Sequence, residues 1–275
     1  MSERKINLEE QKELELLIMD QIVAFCKEKQ LRYYLMFGTL LGAVRHKGFI
    51  PWDDDFDIAM PREDYEVFLA EFNNWSDSRY KVVDYSNTEK YYLTFAKVID
   101  TKTVLREKKI KDVIDLGIYI DIFPIDFLGD DREEVLQHFS RKIMPLRKFL
   151  TVRDSDLSQL SQAKMFTRLK WTVAHCLTQL ISRKCVIKKF NVHAMKYKTC
   201  LSSKYCGVLS TMSYNANKIM ESKWFEEVVP LQFESRIFDA PVGYENVLEY
   251  FYGDYMQLPP KEKRVLPHTF DAYWK

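Results

Sequence analysis

Four aspartates fall within five residues in the stretch Pro51-Trp52-Asp53-Asp54-Asp55-Phe56-Asp57-Ile58-Ala59-Met60. The second half of the stretch alternates. In a strand, Asp55, Asp57 and Ala59 share one face, and Phe56, Ile58 and Met60 the other. Two carboxylates on one strand edge repel each other unless a cation sits between them. Mg²⁺ (or Mn²⁺) suits the place, because Mg²⁺ takes few carboxylates and leaves room for substrate phosphates. A solvated acidic turn is the plainer reading, but Phe-Asp-Ile-Ala-Met has the apolar content of a buried strand. A calcium loop counted from Asp53 would need its glycine at Ile58.

A chain of 275 residues allows one large domain or a core with an appended lobe. No apolar run is long enough to span a bilayer, and Met-Ser-Glu-Arg-Lys-Ile-Asn at the start holds no apolar signal segment, so a cytoplasmic protein is expected. Five cysteines without a C-x-x-C pair suit reduced thiols. Cys185, His193, Cys200 and Cys206 match no standard zinc spacing. The net charge of +1 conceals an asymmetry: residues 141 to 200 hold fourteen Lys/Arg against Asp154 and Asp156, so this block is near +12 and the remainder near −11. Such a block points to an anionic partner or to a helical lobe with a solvated basic face.

Along the chain, Asn7-Leu8-Glu9-Glu10 resembles a capping box, and Leu14, Leu17, Ile18, Ile22 and Phe25 extend a helix to about Gln30. Residues 33–37 read as a strand, followed by Gly38-Thr39 and a helix through Val44. The aspartate strand comes next, then a helix with Pro61 in its first turn. Strands are expected at 80–84, 92–99, 103–106 and 118–123, the last ended by Pro124-Ile125-Asp126. Residues 130 to 200 read as largely helical, with a polar break at 154–162. Further strands fall near Val208 and at 231–238, with a helix at 244–251. The fold class is α+β: a mixed-sheet core with helices over residues 1–128, a mostly helical basic lobe over 129–205, and a C-terminal part over 206–275 that returns to the core.

The chemistry concentrates in strand, Gly38-Thr39, helix, acidic strand and a later strand carrying Asp121. A glycine after the first strand lets backbone approach a phosphate, and the helix that follows offers free N–H groups. Asp55 and Asp57 would hold the metal, and Asp121 would complete the site or take a proton from an attacking hydroxyl. Arg45, His46 and Lys97 are candidate phosphate partners. This inventory fits phosphoryl-group transfer, and no Walker-type loop is present. Asp53 has the parity of Asp55 and Asp57 yet follows Pro51-Trp52 closely, so strand and loop are both open for it. Asp54 reads as a cap or a solvated group, and Asp126 as structural.

The run from Phe37 to Asp57, FGTLLGAVRHKGFIPWDDDFD, resembles the signature of the LicD family, which includes phosphocholine transferases and is related to fukutin-type ribitol-phosphate transferases. Tyr252-Gly253-Asp254-Tyr255-Met256 with Leu258-Pro259-Pro260 resembles the family's second signature. The resemblance implies a nucleotidyltransferase-like fold. It also implies a CDP-choline donor and transfer of phosphocholine to a sugar hydroxyl, such as N-acetylgalactosamine in a lipid-linked teichoic acid precursor. Asp55, Asp57 and Asp121 match the family's acidic triad. Tyr252 and Asp254 would line the donor pocket.

A choline head needs aromatic faces, and Trp52, Tyr91, Tyr92, Tyr119 and Tyr252 are candidates. Lys261, Lys263, Arg264 and His268 form a basic tail that either closes over the diphosphate or is solvated. Expected partners are CDP-choline, a lipid-linked glycan precursor and the cytoplasmic face of the membrane, with no nucleic acid. The rival readings are another CDP-alcohol transferase (ribitol or glycerol), a nucleotide-sugar glycosyltransferase, whose Asp-x-Asp motif is comparable, and a polyanion-binding module.

Overall fold

The computed structural model describes residues 4–107, 116–155, 157, 165–197, 203–211, 219–265 and 270–275. After a short strand β1 (Arg4–Ile6), Asn7 accepts the Glu10 N–H at 2.9 Å and opens helix α1 (Leu8–Lys29), which left-handed Gln30 closes. The capping box is half formed. The Glu10 carboxylate turns instead to Arg4 and to the Trp274 indole. Leu14, Ile18, Ile22 and Phe25 are buried as their spacing predicts, and Leu17 is half-buried.

The main sheet runs in the order β2 (Tyr34–Leu35), β3 (Asp57–Pro61), β7 (Tyr119–Gly129), β5 (Ala96–Asp100), β4 (Tyr80–Val83). Only the β3–β7 pair is parallel. Helices α2 (Phe37–His46) and α3 (Arg62–Trp75) follow β2 and β3. A second sheet sets β12 (Phe270–Trp274) between β1 and β6 (Thr103–Glu107), while Lys261 and Lys263 of the basic segment before it are exposed. Strands β8 (Tyr205–Gly207) and β9 (Met220–Glu221) extend the far end of β7. A hairpin of β10 (Val228–Phe233) and β11 (Arg236–Pro241) leads to helix α8 (Tyr244–Tyr252). The helical lobe is α4 (Arg132–His138), a π turn at Phe139–Ile143, α5 (Met144–Arg153), α6 (Met165–Gln179) and α7 (Arg183–Ala194). The polar break expected at 154–162 lies mostly outside the described residues.

Six expectations change. Pro61 ends β3 and caps α3 instead of lying in its first turn. The strand expected at 231–238 is a hairpin that turns at Glu234-Ser235 between β10 and β11. The aspartate strand begins only at Asp57, so Asp53, Asp54 and Asp55 sit in the loop before it. The helix after β2 starts at Phe37, which puts Gly38-Thr39 inside its first turn. The strand expected over 92–99 starts at Ala96. Strand β7 continues through Pro124, because β5 stops pairing with it at Ile122. The Asp121 N–H points to β3, where it meets the Phe56 carbonyl at 3.0 Å. An N–H at even-numbered 124 would face the vacated side, so proline costs the ladder nothing there. Asp126, further along β7, is fully buried against Arg62 at 2.6 Å. The core joins both ends of the chain: Ile6, Ile122, Cys206, Val247 and Ala272 belong to one buried cluster.

Candidate active site

Helix α2 begins with backbone strain. Phe37 has φ 48°, a left-handed value that costs an aromatic residue about 1–3 kcal/mol. Its ring is held between Phe123 and Phe251, both at 5.2 Å. The sharp entry brings Gly38 under the acidic loop, where a Cβ would meet Asp53 Oδ2 at 2.7 Å. Glycine is thus what lets that carboxylate lie against the helix N-terminus, whose positive end favours it. Thr39 has a different task. It is buried, and its hydroxyl accepts the Asp57 N–H at 2.7 Å, which holds the start of β3.

Asp57, Asp121 and Lys97 stand abreast on β3, β7 and β5, Asp57 beside Asp121 and Asp121 beside Lys97. The Lys97 ammonium donates to Asp121 Oδ1 and lies 3.4 Å from the centre of the Tyr119 ring. Burial holds Asp57 well above the usual carboxylate range, and the charges of Asp55 and Asp121 add to this, with Lys97 a partial offset. Asp53 is pushed up to about 7 by burial and then by Asp55, with which it also shares a hydrogen bond. Asp54 is buried, and not a solvated group.

Helix α1 supplies a carboxylate that the sequence reading missed. Glu15 is buried, which drives its carboxyl well above the usual range. Gln11 donates to Glu15 Oε1 at 3.0 Å and to the Asp54 carbonyl at 2.9 Å, tying the acidic loop to α1. Glu15 Oε2 has no hydrogen-bond partner among the described residues. The signal was present: Gln11 and Glu15 continue the stripe of Ile18 and Ile22 at four- and three-residue steps.

A cavity of about 740 Å³ opens beside Gly38 and Asp53. Arg45 and Trp52 line one side, and Tyr252, Asp254, Tyr255 and Arg264 the other. The two signature segments are therefore two walls of one cleft. Arg45 joins them by donating to the Tyr255 carbonyl at 2.9 Å, and Arg264 lies 5.2 Å over the Trp52 ring. Tyr252 is 43% exposed, yet its hydroxyl is pushed up by burial and then by Asp57, Asp53 and Asp55, so the cleft and the acidic row share one field.

Of the expected site residues, Gly38, Arg45, Trp52, Asp53, Tyr252 and Asp254 line the cavity. Asp55, Asp57, Asp121, Lys97 and Tyr119 form the adjoining acidic row. His46 stands outside the lining, edge-on to Trp52 at 6.0 Å and held below its usual range by burial and then by Arg45. Tyr91 is buried with its hydroxyl on the Phe95 carbonyl. His268 lies outside the described residues, as does Cys200. Tyr255 was not anticipated.

The donors around the acidic row are all carboxylate oxygens, the type that hard divalent cations take, and burial together with their mutual repulsion holds Asp53 and Asp57 toward protonation. That chemistry fits Mg²⁺ or Mn²⁺. Among the described residues, no three or more His, Cys, Asp or Glu side chains are already gathered tightly enough to hold a metal.

A mixed sheet carrying an acidic strand edge beside a glycine-opened helix, with a nucleotide-sized cleft above it, defines a nucleotidyltransferase-type site. Residues 30–168 match the family described as LicD/FKTN/FKRP, nucleotidyltransferase domain. The chain belongs to this family and is a LicD-type enzyme. It is 30% identical over 276 residues to the lipopolysaccharide cholinephosphotransferase LicD of Haemophilus influenzae, covering 98% of this chain and 99% of that protein. An uncharacterized protein of Rickettsia typhi is 27% identical over 147 residues, 53% of this chain and 42% of its own. A shorter stretch of 44 residues is 50% identical to an uncharacterized protein of Rickettsia prowazekii, covering 16% of each chain.

Proposed function

We propose that the chain transfers phosphocholine from CDP-choline to a sugar hydroxyl of a glycan, with release of CMP. The observation that carries this reading is the similarity, over 98% of the chain, to a cholinephosphotransferase. The expected acceptor is N-acetylgalactosamine in a lipid-linked teichoic acid precursor, and the expected compartment is the cytoplasm.

A cavity of about 740 Å³ suits a nucleotide-sized donor. Arg45 and Arg264 line the cavity and would supply cations to a diphosphate, and the faces of Trp52 and Tyr252 would suit a quaternary ammonium. Asp55, Asp57 and Asp121 would hold Mg²⁺ or Mn²⁺. When bound, the ion would neutralise charge on the diphosphate and on departing CMP. Asp121 is oriented by Lys97 and would accept the proton of the attacking hydroxyl. The sugar oxygen then bonds to the choline-side phosphorus, the bond from phosphorus to the CMP oxygen breaks, and CMP departs with that electron pair. Thr39 and Gln11 act by position: one fixes Asp57 and the other the acidic loop.

The test is product mass. Incubation with CDP-choline, Mg²⁺ and an N-acetylgalactosamine glycan should add one phosphocholine to the glycan and release one CMP. Addition of a hexose from a nucleotide sugar, with none from CDP-choline, would overturn the reading.

A further inference from the structure

Helix α6 is amphipathic in the reverse sense. Its inner side, toward α5, is polar. His175 Nδ1 lies 3.1 Å from the Val152 carbonyl, and the Gln179 amide donates to the Arg153 carbonyl at 3.0 Å. The Arg153 guanidinium donates to the Thr178 carbonyl and, at 2.7 Å, to that of Ile181. Its outer side is apolar. Phe166, Leu169, Val173 and Leu177, with Leu180 just past the helix end, recur every three or four residues and form one stripe. They are 78%, 61%, 50%, 59% and 81% exposed. A helix facing only water turns such a stripe inward. Here the hydrogen bonds to α5 keep it outward, so the stripe faces something other than water.

The charges of the same helical lobe select what covers it. Lys170 on α6 is exposed beside the stripe, and Lys184, Lys188 and Lys189 on α7 are exposed as well. The described acid of this block, Asp154, is engaged by Arg183. A second copy would set these cations face to face. A polynucleotide would satisfy the cations and leave the stripe wet. A bilayer with anionic headgroups satisfies both, the acyl boundary taking the stripe and the headgroups the cations. We propose that α6 lies in the plane of an anionic membrane surface and docks the enzyme there. The helix has 15 residues, about 22 Å, and no helix among the described residues is long and apolar enough to cross a membrane, so this is docking and not spanning. Docking uses the helical lobe and none of the cleft residues, so it stands or falls apart from the chemistry proposed above.

Vesicle flotation of the full chain tests it, with phosphatidylcholine vesicles with and without phosphatidylglycerol. The wild-type chain should float with the anionic vesicles, less so in high salt, and far less with phosphatidylcholine alone. A Leu169→Glu/Leu177→Glu variant should lose about tenfold or more of its vesicle affinity while its thermal unfolding stays unchanged, since both side chains are exposed. Failure of the wild type to float, or equal flotation of the variant, overturns the proposal. So does a concentration-dependent dimer, seen by sedimentation without vesicles and abolished by the same variant, which would assign the stripe to a second copy. Polynucleotide binding that survives in the variant, without flotation, would also overturn it.

Discussion

Two buried charges on the same strand, five residues apart, have opposite fates. Asp126 on β7 meets Arg62 at 2.6 Å, both side chains are almost wholly enclosed, and Arg62 also reaches the partly exposed Glu66 at 3.3 Å. Asp121, earlier on β7, meets Lys97 but shares its neighbourhood with Asp57, and Asp57 with Asp55 and Asp53. The first group is neutral as a pair, although burial raises the Asp126 carboxyl too, with Arg62 a partial offset. The second gathers several carboxylates around Lys97, and burial first, then their mutual repulsion, holds Asp57 and Asp53 toward their protonated forms. A matched buried pair holds a fold together, whereas an unmatched group stores a demand that a cation and a phosphate-bearing ligand can meet.

Substitutions should separate the two regions. Asp57→Ala should lower turnover by about three orders of magnitude, about 4 kcal/mol of transition-state stabilisation, with the melting temperature unchanged or raised. Asp126→Ala should do the reverse. It leaves buried Arg62 with the longer contact to partly exposed Glu66 at 3.3 Å and should cost about 3–5 kcal/mol in denaturant unfolding. A stable Asp126→Ala chain, or an unfolded Asp57→Ala chain, would erase the distinction.

A smaller effect sharpens it. Gly38→Ala places a methyl 2.7 Å from Asp53 Oδ2, a flexible tip that can move aside. Turnover should fall by about a hundredfold through misplacement of the carboxylate, while stability changes little. Steady-state kinetics beside a thermal melt would show both.

The smallest effect is on pH. The Asp53 carboxyl is raised from 3.8 to about 7 on folding, so the folded chain holds a proton that the unfolded chain releases. The stability this contributes is fully present below pH about 4 and is lost as pH rises through about 7. Without divalent cations, the melting temperature should therefore rise as pH drops from 8 to 6, and Asp53→Asn should flatten that slope.

Much of this was legible from residue order. The Asn7 cap and the Ile18–Ile22–Phe25 stripe follow from local rules, because period and capping act over a few residues, whereas Asp121 is joined to Asp57 by the family resemblance and not by any local rule. What stayed hidden depends on distant partners. Pro124 continues a strand only because β5 has already ended beside it. Asp55 falls in the loop because strand pairing, and not alternation, decides where β3 begins. Phe270–Trp274 becomes a strand because β1 and β6 leave a slot between them. Glu15 lay on a visible stripe but counts as a site residue only once the acidic loop is folded against α1. The two walls of the cleft were recognisable by their resemblance to one family, while their meeting through Arg45 and the Tyr255 carbonyl was not.

The most direct measurement is calorimetric titration of CDP-choline into the wild-type chain and into Asp57→Asn, each with and without Mg²⁺. If the unmatched carboxylates grip the donor diphosphate through a divalent ion, the wild type binds tightly only with Mg²⁺, and Asp57→Asn binds equally weakly in both conditions. Equal affinity of the wild type with and without Mg²⁺, or a full Mg²⁺ effect retained in Asp57→Asn, would contradict that account.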